Sequence, residues 1–183
     1  MHLWPTTFPI LESERLIFSK LVYEDLNSLV EKCNHKAISI QTNNLPYPYT
    51  YKYALGRLDF LNTLFEQEKG IVWCVKVKST LDFAGEIGLH WREESSSFEV
   101  GYWFAKELWG MGYATESLKR ILEYGFEEMG TQRIFGTYFT DNLGSLKVMK
   151  KAGMRFEKEL PPKKNQDGIY KGLGMCSSVT GDL

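Results

Sequence analysis

Residues 99–116, Glu99-Val-Gly-Tyr-Trp-Phe-Ala-Lys-Glu-Leu-Trp-Gly-Met-Gly-Tyr-Ala-Thr-Glu116, carry the clearest chemical signal in the chain. Side chains alternate up to Phe104, a turn follows around Trp109, Gly110, Met111 and Gly112, and helical spacing starts near Tyr113. A glycine-bearing turn that opens onto a helix N-terminus suits a phosphate group, because free backbone N–H groups converge there and the helix dipole adds partial positive charge. Glycine lets the backbone approach the ligand closely and take positive φ. A bound diphosphate is therefore the first inference. A Walker A loop is excluded because no Lys-Ser or Lys-Thr follows the glycines. The dinucleotide fingerprint Gly-x-Gly-x-x-Gly fails too, since Thr115 stands where the third glycine belongs. A bare Gly-x-Gly also suits a tight strand-to-helix turn that binds nothing.

The flanking residues decide between these readings. Val100-Gly-Tyr-Trp103, then Trp109-Gly-Met-Gly-Tyr-Ala-Thr-Glu116, resembles the acetyl-CoA loop of the GNAT superfamily of N-acyltransferases, Arg/Gln-x-x-Gly-x-Gly/Ala. Gly112 and Ala114 fill its last two fixed places. Trp109 replaces the leading Arg or Gln, which looks like the RimJ/RimL branch, the ribosomal-protein N-acetyltransferases and their relatives. A second segment, Asp141-Asn-Leu-Gly-Ser-Leu-Lys-Val-Met-Lys-Lys-Ala-Gly-Met-Arg-Phe156, resembles the family's Asn-x-x-Ser-x-x-(apolar)-x-x-Lys-x-Gly-Phe, with Met154 at the usual Phe. A third resemblance lies in Ile10-Leu-Glu-Ser-Glu-Arg-Leu-Ile17 and continues through residues 24–26 and 45–50. The three occur in family order.

The resemblance implies an α/β fold, with a mixed, mostly antiparallel sheet of about six or seven strands, about four helices, and central strands that splay after Phe104. It implies that the pantetheine arm of acetyl-CoA pairs with the backbone of Tyr102, Trp103 and Phe104 like an added strand. The pyrophosphate would meet the N–H groups of Met111, Gly112, Tyr113, Ala114 and Thr115, in the loop begun by Trp109 and Gly110. Asn142 would bond the pantetheine amides, and Ser145 would sit near the sulfur. The implied reaction moves acetyl from acetyl-CoA to a primary amine by direct transfer. The acceptor would be a protein N-terminus, a polyamine or a small-molecule amine, and a homodimer would suit the family. The alternative is a non-catalytic acyl-CoA-binding or regulatory domain.

Direct transfer needs a neutral amine, and a free lysine has a pKa of about 10.4 against about 7.7–8.0 for an α-amine. Glu99 is the candidate base, because it lies two and four residues before Gly101 and Trp103 and shares their face of the strand. A structural ion pair is its other reading, and a base acting through water would leave no trace in sequence. Many family members carry a tyrosine acid seven residues after the Asn. Here Met149 stands at that position, so Ser145 becomes the candidate donor to the departing thiolate. Asn142 and Ser145 lie one helical turn apart, and Asn142 also reads as a helix N-cap. A backbone N–H of the splayed strand is a plausible oxyanion donor. The Pro- and Tyr-rich residues 46–53, with Tyr47 and Tyr49, precede a helix where related enzymes place part of the acceptor pocket, and they read otherwise as simple packing of a loop. Lys147, Lys150 and Lys151 read as a solvated face or as partners for the nucleotide 3′-phosphate.

The 183 residues suit one domain, residues 1–183. A net charge of −1 gives no electrostatic case for nucleic acid or an anionic membrane. Cys33, Cys74 and Cys176 are widely spaced, and they read as reduced thiols of a cytoplasmic protein. No basic leader and no membrane-length apolar run is evident, and His2, His35 and His90 are too scattered to suggest a metal. Periodicity predicts strands over residues 15–21, 71–77, 83–91, 97–104 and 133–139, with one or two more in the tail. It predicts helices over residues 24–34, 51–69, 113–129 and 142–152, the last two stopped by Gly130 and Gly153.

Overall fold

The computed structural model describes residues 3–42 and 45–181, and His2 lies outside them. Its strands are β1 (Leu11–Glu12), β2 (Leu16–Ser19), β3 (Gly70–Val77), β4 (Phe83–Arg92), β5 (Ser97–Phe104), β6 (Arg133–Phe139), β7 (Arg155–Lys164) and β8 (Tyr170–Val179). They form one sheet in the order β1-β2-β3-β4-β5-β6-β8-β7. Every neighbouring pair is antiparallel except β5 and β6, which run parallel. A parallel pair needs a crossover, and the helix α4 (Tyr113–Glu123) supplies it.

Alternation along β4 and β5 divides the core. Ile87, Leu89, Phe98, Val100 and Phe104 face α4 and α5 (Leu143–Lys151), whose Leu118, Ile121, Leu122 and Met149 cover that side. Trp103, Val72, Cys74 and Phe83 face the opposite side, under α1 (Leu26–Cys33) and α3 (Tyr51–Glu66). Ala54, Leu58 and Leu61 of α3 are buried at intervals of four and three, the stripe expected of a helix laid on a sheet.

The structure corrects three expectations. Among the described residues the sheet has eight strands, not six or seven, because β1 is too short to show a period and the tail forms a full hairpin. β7 is an exposed edge strand, so burial imposes no alternation on it, and Pro161 and Pro162 sit where its register slips. A fifth helix, α2 (Lys36–Ser39), is one turn long, with His35 Nδ1 accepting from Ala37 N at 3.2 Å. The helix expected over residues 113–129 loosens into a π-turn at Tyr124–Glu128, where Met129 N donates to Tyr124 O at 3.1 Å. An added Cβ at Gly125 would lie 2.6 Å from Ile134 Cδ1, so glycine lets this turn sit directly on β6.

Candidate active site

β5 and β6 hold register only at Phe98↔Ile134, Glu99↔Phe135 and Val100↔Gly136. Beyond Val100 the two strands separate, β5 staying on β4 to its end and β6 staying on β8. The gap belongs to one cleft of about 1250 Å³ that reaches both faces of the sheet. On the α4 side it is lined by the glycine turn and by Asn142 and Ser145; on the α3 side by Arg57, Glu86, His90 and Glu99. Of the site residues expected from sequence, Met111, Tyr47, Tyr49 and Lys150 are not on this wall.

The turn has the expected shape. Gly110 and Gly112 take φ of +83° and +85°, and Gly112 caps α4. The first intrahelical bond is Glu116 N to Gly112 O at 3.0 Å, so the N–H groups of Tyr113, Ala114 and Thr115 precede the ladder and are open to an anion. Met111 N instead donates to Leu108 O at 3.3 Å, which turns it inward. Trp109, standing in for the family's Arg or Gln, donates its indole N–H to Phe104 O at 2.8 Å and so ties the loop to the end of β5.

A clamp not expected from the sequence holds the turn from behind. Glu116 Oε1 accepts from Ser13 Oγ at 2.7 Å and Arg15 N at 2.8 Å, while Oε2 accepts from Arg15 Nε at 2.7 Å. Arg15 Nη1 donates to Met111 O at 3.1 Å, and the guanidinium lies 4.5 Å from the Tyr113 ring centre. Partial burial works to raise the Glu116 carboxyl, but the Ser13 and Arg15 bonds outweigh it and hold the group below the usual carboxylate range. Arg15→Ala should weaken acetyl-CoA binding about tenfold by releasing the loop, near the lower end of what a hydrogen bond to a charged group contributes. Titration calorimetry checks this, and an unchanged dissociation constant would show the turn to be rigid without the clamp.

Across the sheet, Glu86 is 1% exposed and fully engaged. Arg57 Nε lies 3.0 and 2.8 Å from its two oxygens, Arg57 Nη2 lies 2.6 Å from Oε2, and Trp103 Nε1 donates to Oε2 at 2.7 Å. This group pins α3 to β4 and β5. Glu99, the candidate base, faces the same arm. Its Oε2 pairs with Arg92 Nη2 at 2.6 Å and Nε at 2.8 Å, and its Oε1 accepts from Thr137 Oγ1 at 3.0 Å. Asn142 is the N-cap of α5, its Oδ1 accepting from Ser145 N at 3.0 Å. Ser145 Oγ lies 2.9 Å from the Tyr102 hydroxyl. Tyr47 is 53% exposed, whereas Tyr49 is 3% exposed and packs in the core under α1 and α3. Ile38, Leu45 and Phe60 line that arm instead.

His90 is paired in register with Glu99 and lines the cleft. Burial, reinforced by the positive charge of Arg92, holds its imidazole down to about 4 from 6.5. The sign follows directly. Below pH 6.5 the unfolded chain takes up a proton that the folded chain refuses, so stability falls as pH drops, by about 1.4 kcal/mol per pH unit until pH 4. Denaturant titrations of wild type and His90→Gln should therefore converge on acidification, wild type losing roughly 2–3 kcal/mol more than the variant between pH 7 and 4.5. Parallel curves would place the charge change elsewhere.

The signals for Arg57, Glu86 and His90 are faint in sequence. Glu86 and His90 share one face of an otherwise apolar strand, four residues apart. Only the β4–β5 register brings them beside Trp103 and Glu99.

A sheet split between parallel strands, with a turn of free N–H groups at one mouth of the gap and a carboxylate-lined pocket at the other, matches the layout that the sequence resemblance implies for an acetyltransferase. The family model for the acetyltransferase (GNAT) domain matches residues 15–155, and the chain belongs to this family. It is 28% identical over 173 residues to the uncharacterized N-acetyltransferase YoaA of Bacillus subtilis (strain 168), covering 94% of this chain and 97% of that one. Mycobacterium smegmatis RimJ in complex with CoA-disulfide superposes with a TM-score of 0.84 at 18% identity, over 98% of this chain and 90% of that one. The microcin self-immunity acetyltransferase MccE in complex with acetyl-CoA and AMP gives a TM-score of 0.81 at 15% identity, over 91% and 93%. At these identities the two solved structures bear on the fold.

Proposed function

We propose that this chain moves the acetyl group of acetyl-CoA to a primary amine by direct attack of the amine on the thioester. The observation that carries the reading is the single cleft through the β5–β6 gap, which joins the glycine turn to the pocket holding Glu99. The pyrophosphate sits on the N–H groups of Gly112, Tyr113, Ala114 and Thr115, and the pantetheine runs along the free edge from Tyr102 to Phe104. Asn142, whose Oδ1 is committed to the cap, offers its NH₂ to a pantetheine carbonyl. Ser145 donates to the leaving sulfur. Holding amine and thioester together supplies much of the rate, and a strand N–H aimed at the carbonyl oxygen adds roughly 3 kcal/mol.

Glu99 takes the amine proton. Arg92 and Thr137 occupy only part of its acceptor capacity, because each carboxylate oxygen has two lone-pair sites. The acceptor is a protein N-terminus or a small-molecule amine entering between α2, α3 and β4. The likeness to YoaA, named an N-acetyltransferase, supports an amine acceptor. No helix among the described residues is long and apolar enough to cross a membrane.

The test is release of the CoA thiol across a panel of N-terminal peptides, polyamines and small amines. Amine-dependent release is expected. Tight acetyl-CoA binding without release from any of them would favour a non-catalytic acyl-CoA-binding domain.

A further inference from the structure

The position where many members of the family carry a tyrosine acid is closed to one in this chain. Met149 is 1% exposed and packs under β5 and β6, its Cε only 2.7 Å from where a Cβ on Gly136 would lie. Its side chain is core, and a phenol there would have to displace the floor of the gap. A phenol nevertheless reaches Ser145 from the facing strand. Tyr102 lies on β5 where that strand has left β6, and its side chain turns toward α5. Its hydroxyl lies 2.9 Å from Ser145 Oγ and 3.3 Å from Ser145 O.

We propose that Tyr102 is a positioning residue for the leaving group: its O–H donates to Ser145, which leaves the Ser145 proton aimed at the coenzyme sulfur. The inference deepens the proposed function and rests on it. One phenolic proton, shared between the two Ser145 oxygens, fills acceptor sites on Oγ and leaves the serine O–H as the donor facing the cleft. Burial pushes the Tyr102 phenol above its ordinary value, partly opposed by the Ser145 bond, so it stays protonated.

In the reaction the amine nitrogen forms a bond to the thioester carbon and the carbon–sulfur bond breaks, its electron pair leaving on sulfur. Ser145 hydrogen-bonds that thiolate while both hydroxyls keep their own protons. The nitrogen loses one proton to Glu99, which passes it to water in the open cleft, and the sulfur gains one from water, so the transfer is proton-neutral. A chain of two donors matters here because each link polarises the next and strengthens the hydrogen bond to the thiolate.

The test needs no knowledge of the acceptor. Free CoA is bound to the wild-type protein and to Tyr102→Phe, Ser145→Ala and the double variant, and the thiolate of the bound coenzyme is titrated by its ultraviolet absorbance. The protein's own Cys33 and Cys74 thiols are buried and pushed up, which keeps their background low. Wild type should hold about tenfold more thiolate than Tyr102→Phe at the same pH below the thiol midpoint, equivalent to one pKa unit. CoA affinity at low pH should be unchanged, and Tyr102→Phe should add nothing in the Ser145→Ala background. Equal thiolate in wild type and Tyr102→Phe, or an additive double variant, would overturn the proposal with the cofactor assignment intact. Failure of the wild type to bind CoA at all would overturn both. Once an acceptor is known, Tyr102→Phe should lower kcat with KM for acetyl-CoA unmoved.

Discussion

Arg57→Met is expected to remove about 3–5 kcal/mol of stability, a large share of the 5–15 kcal/mol available to a domain of this kind. The reason is what it leaves behind. Glu86 is 1% exposed and is paired with Arg57, which approaches both of its oxygens. Without the guanidinium, the carboxylate has only the Trp103 indole N–H for a partner. A buried carboxylate that loses its partner carries a desolvation cost that nothing offsets. Arg57→Met combined with Glu86→Gln removes both charges yet keeps an oxygen for Trp103, and it should recover most of the loss. Urea unfolding of the three proteins measures this. A single variant within 1 kcal/mol of wild type would mean that water reaches Glu86 and that the pair does not fasten α3 to the sheet. Because Arg57 and Glu86 line the cleft from α3 and β4, the destabilised variant should also bind acceptor poorly.

Glu99→Gln should lower kcat by about two to three orders of magnitude while acetyl-CoA affinity stays within about twofold, the range typical of losing a general base. Glutamine keeps the size of the side chain and a hydrogen bond from Thr137, so the geometry of β5 against β6 survives. The competing account is that Glu99 is only the partner of Arg92. Arg92→Gln separates the two, since it breaks the pair but leaves the carboxylate and should cost far less activity than Glu99→Gln. Equal losses in both variants would make the ion pair, not the base, the functional unit. A small loss in Glu99→Gln would assign proton removal to water.

Much of this architecture is legible in the sequence. Strands Ser97–Phe104 and Arg133–Phe139 fall at the boundaries that periodicity sets. α5 runs between its Asn142 cap and Gly153, which takes φ of +96°. The tail reads as one or two strands without bounds, because the exposed edge strand over residues 155–164 carries no burial pattern. The glycine turn was visible as a turn, and only the motif resemblance made it a cofactor loop.

What pattern could not supply was pairing between distant segments. Arg15 meets Glu116 across the fold, Arg57 meets Glu86 from a helix to a strand, and Tyr102 meets Ser145 across the gap. Each depends on register and helix placement, which local spacing does not encode. The same limit explains Tyr49, whose place beside Tyr47 in an aromatic run fits part of an acceptor pocket or simple loop packing, while α1 and α3 close over it. Asn142 carried two readings, and its cap bond to Ser145 N uses one side of the amide only.

The central claim is that acetyl-CoA binds at the turn ending in Gly112. Thermal and denaturant unfolding with and without acetyl-CoA, on wild type and Gly112→Glu, tests it most directly. Gly112 takes φ of +85°, so any side chain there is strained by about 1–2 kcal/mol with or without ligand. The readout is therefore the stabilisation by ligand within each protein. Cofactor at about 100 times its dissociation constant should add roughly 2.7 kcal/mol to wild type, and nearly nothing to a variant that places a carboxylate where the pyrophosphate sits. A folded wild-type protein that gains no stability from acetyl-CoA, or a Gly112→Glu variant that gains as much, would contradict the account.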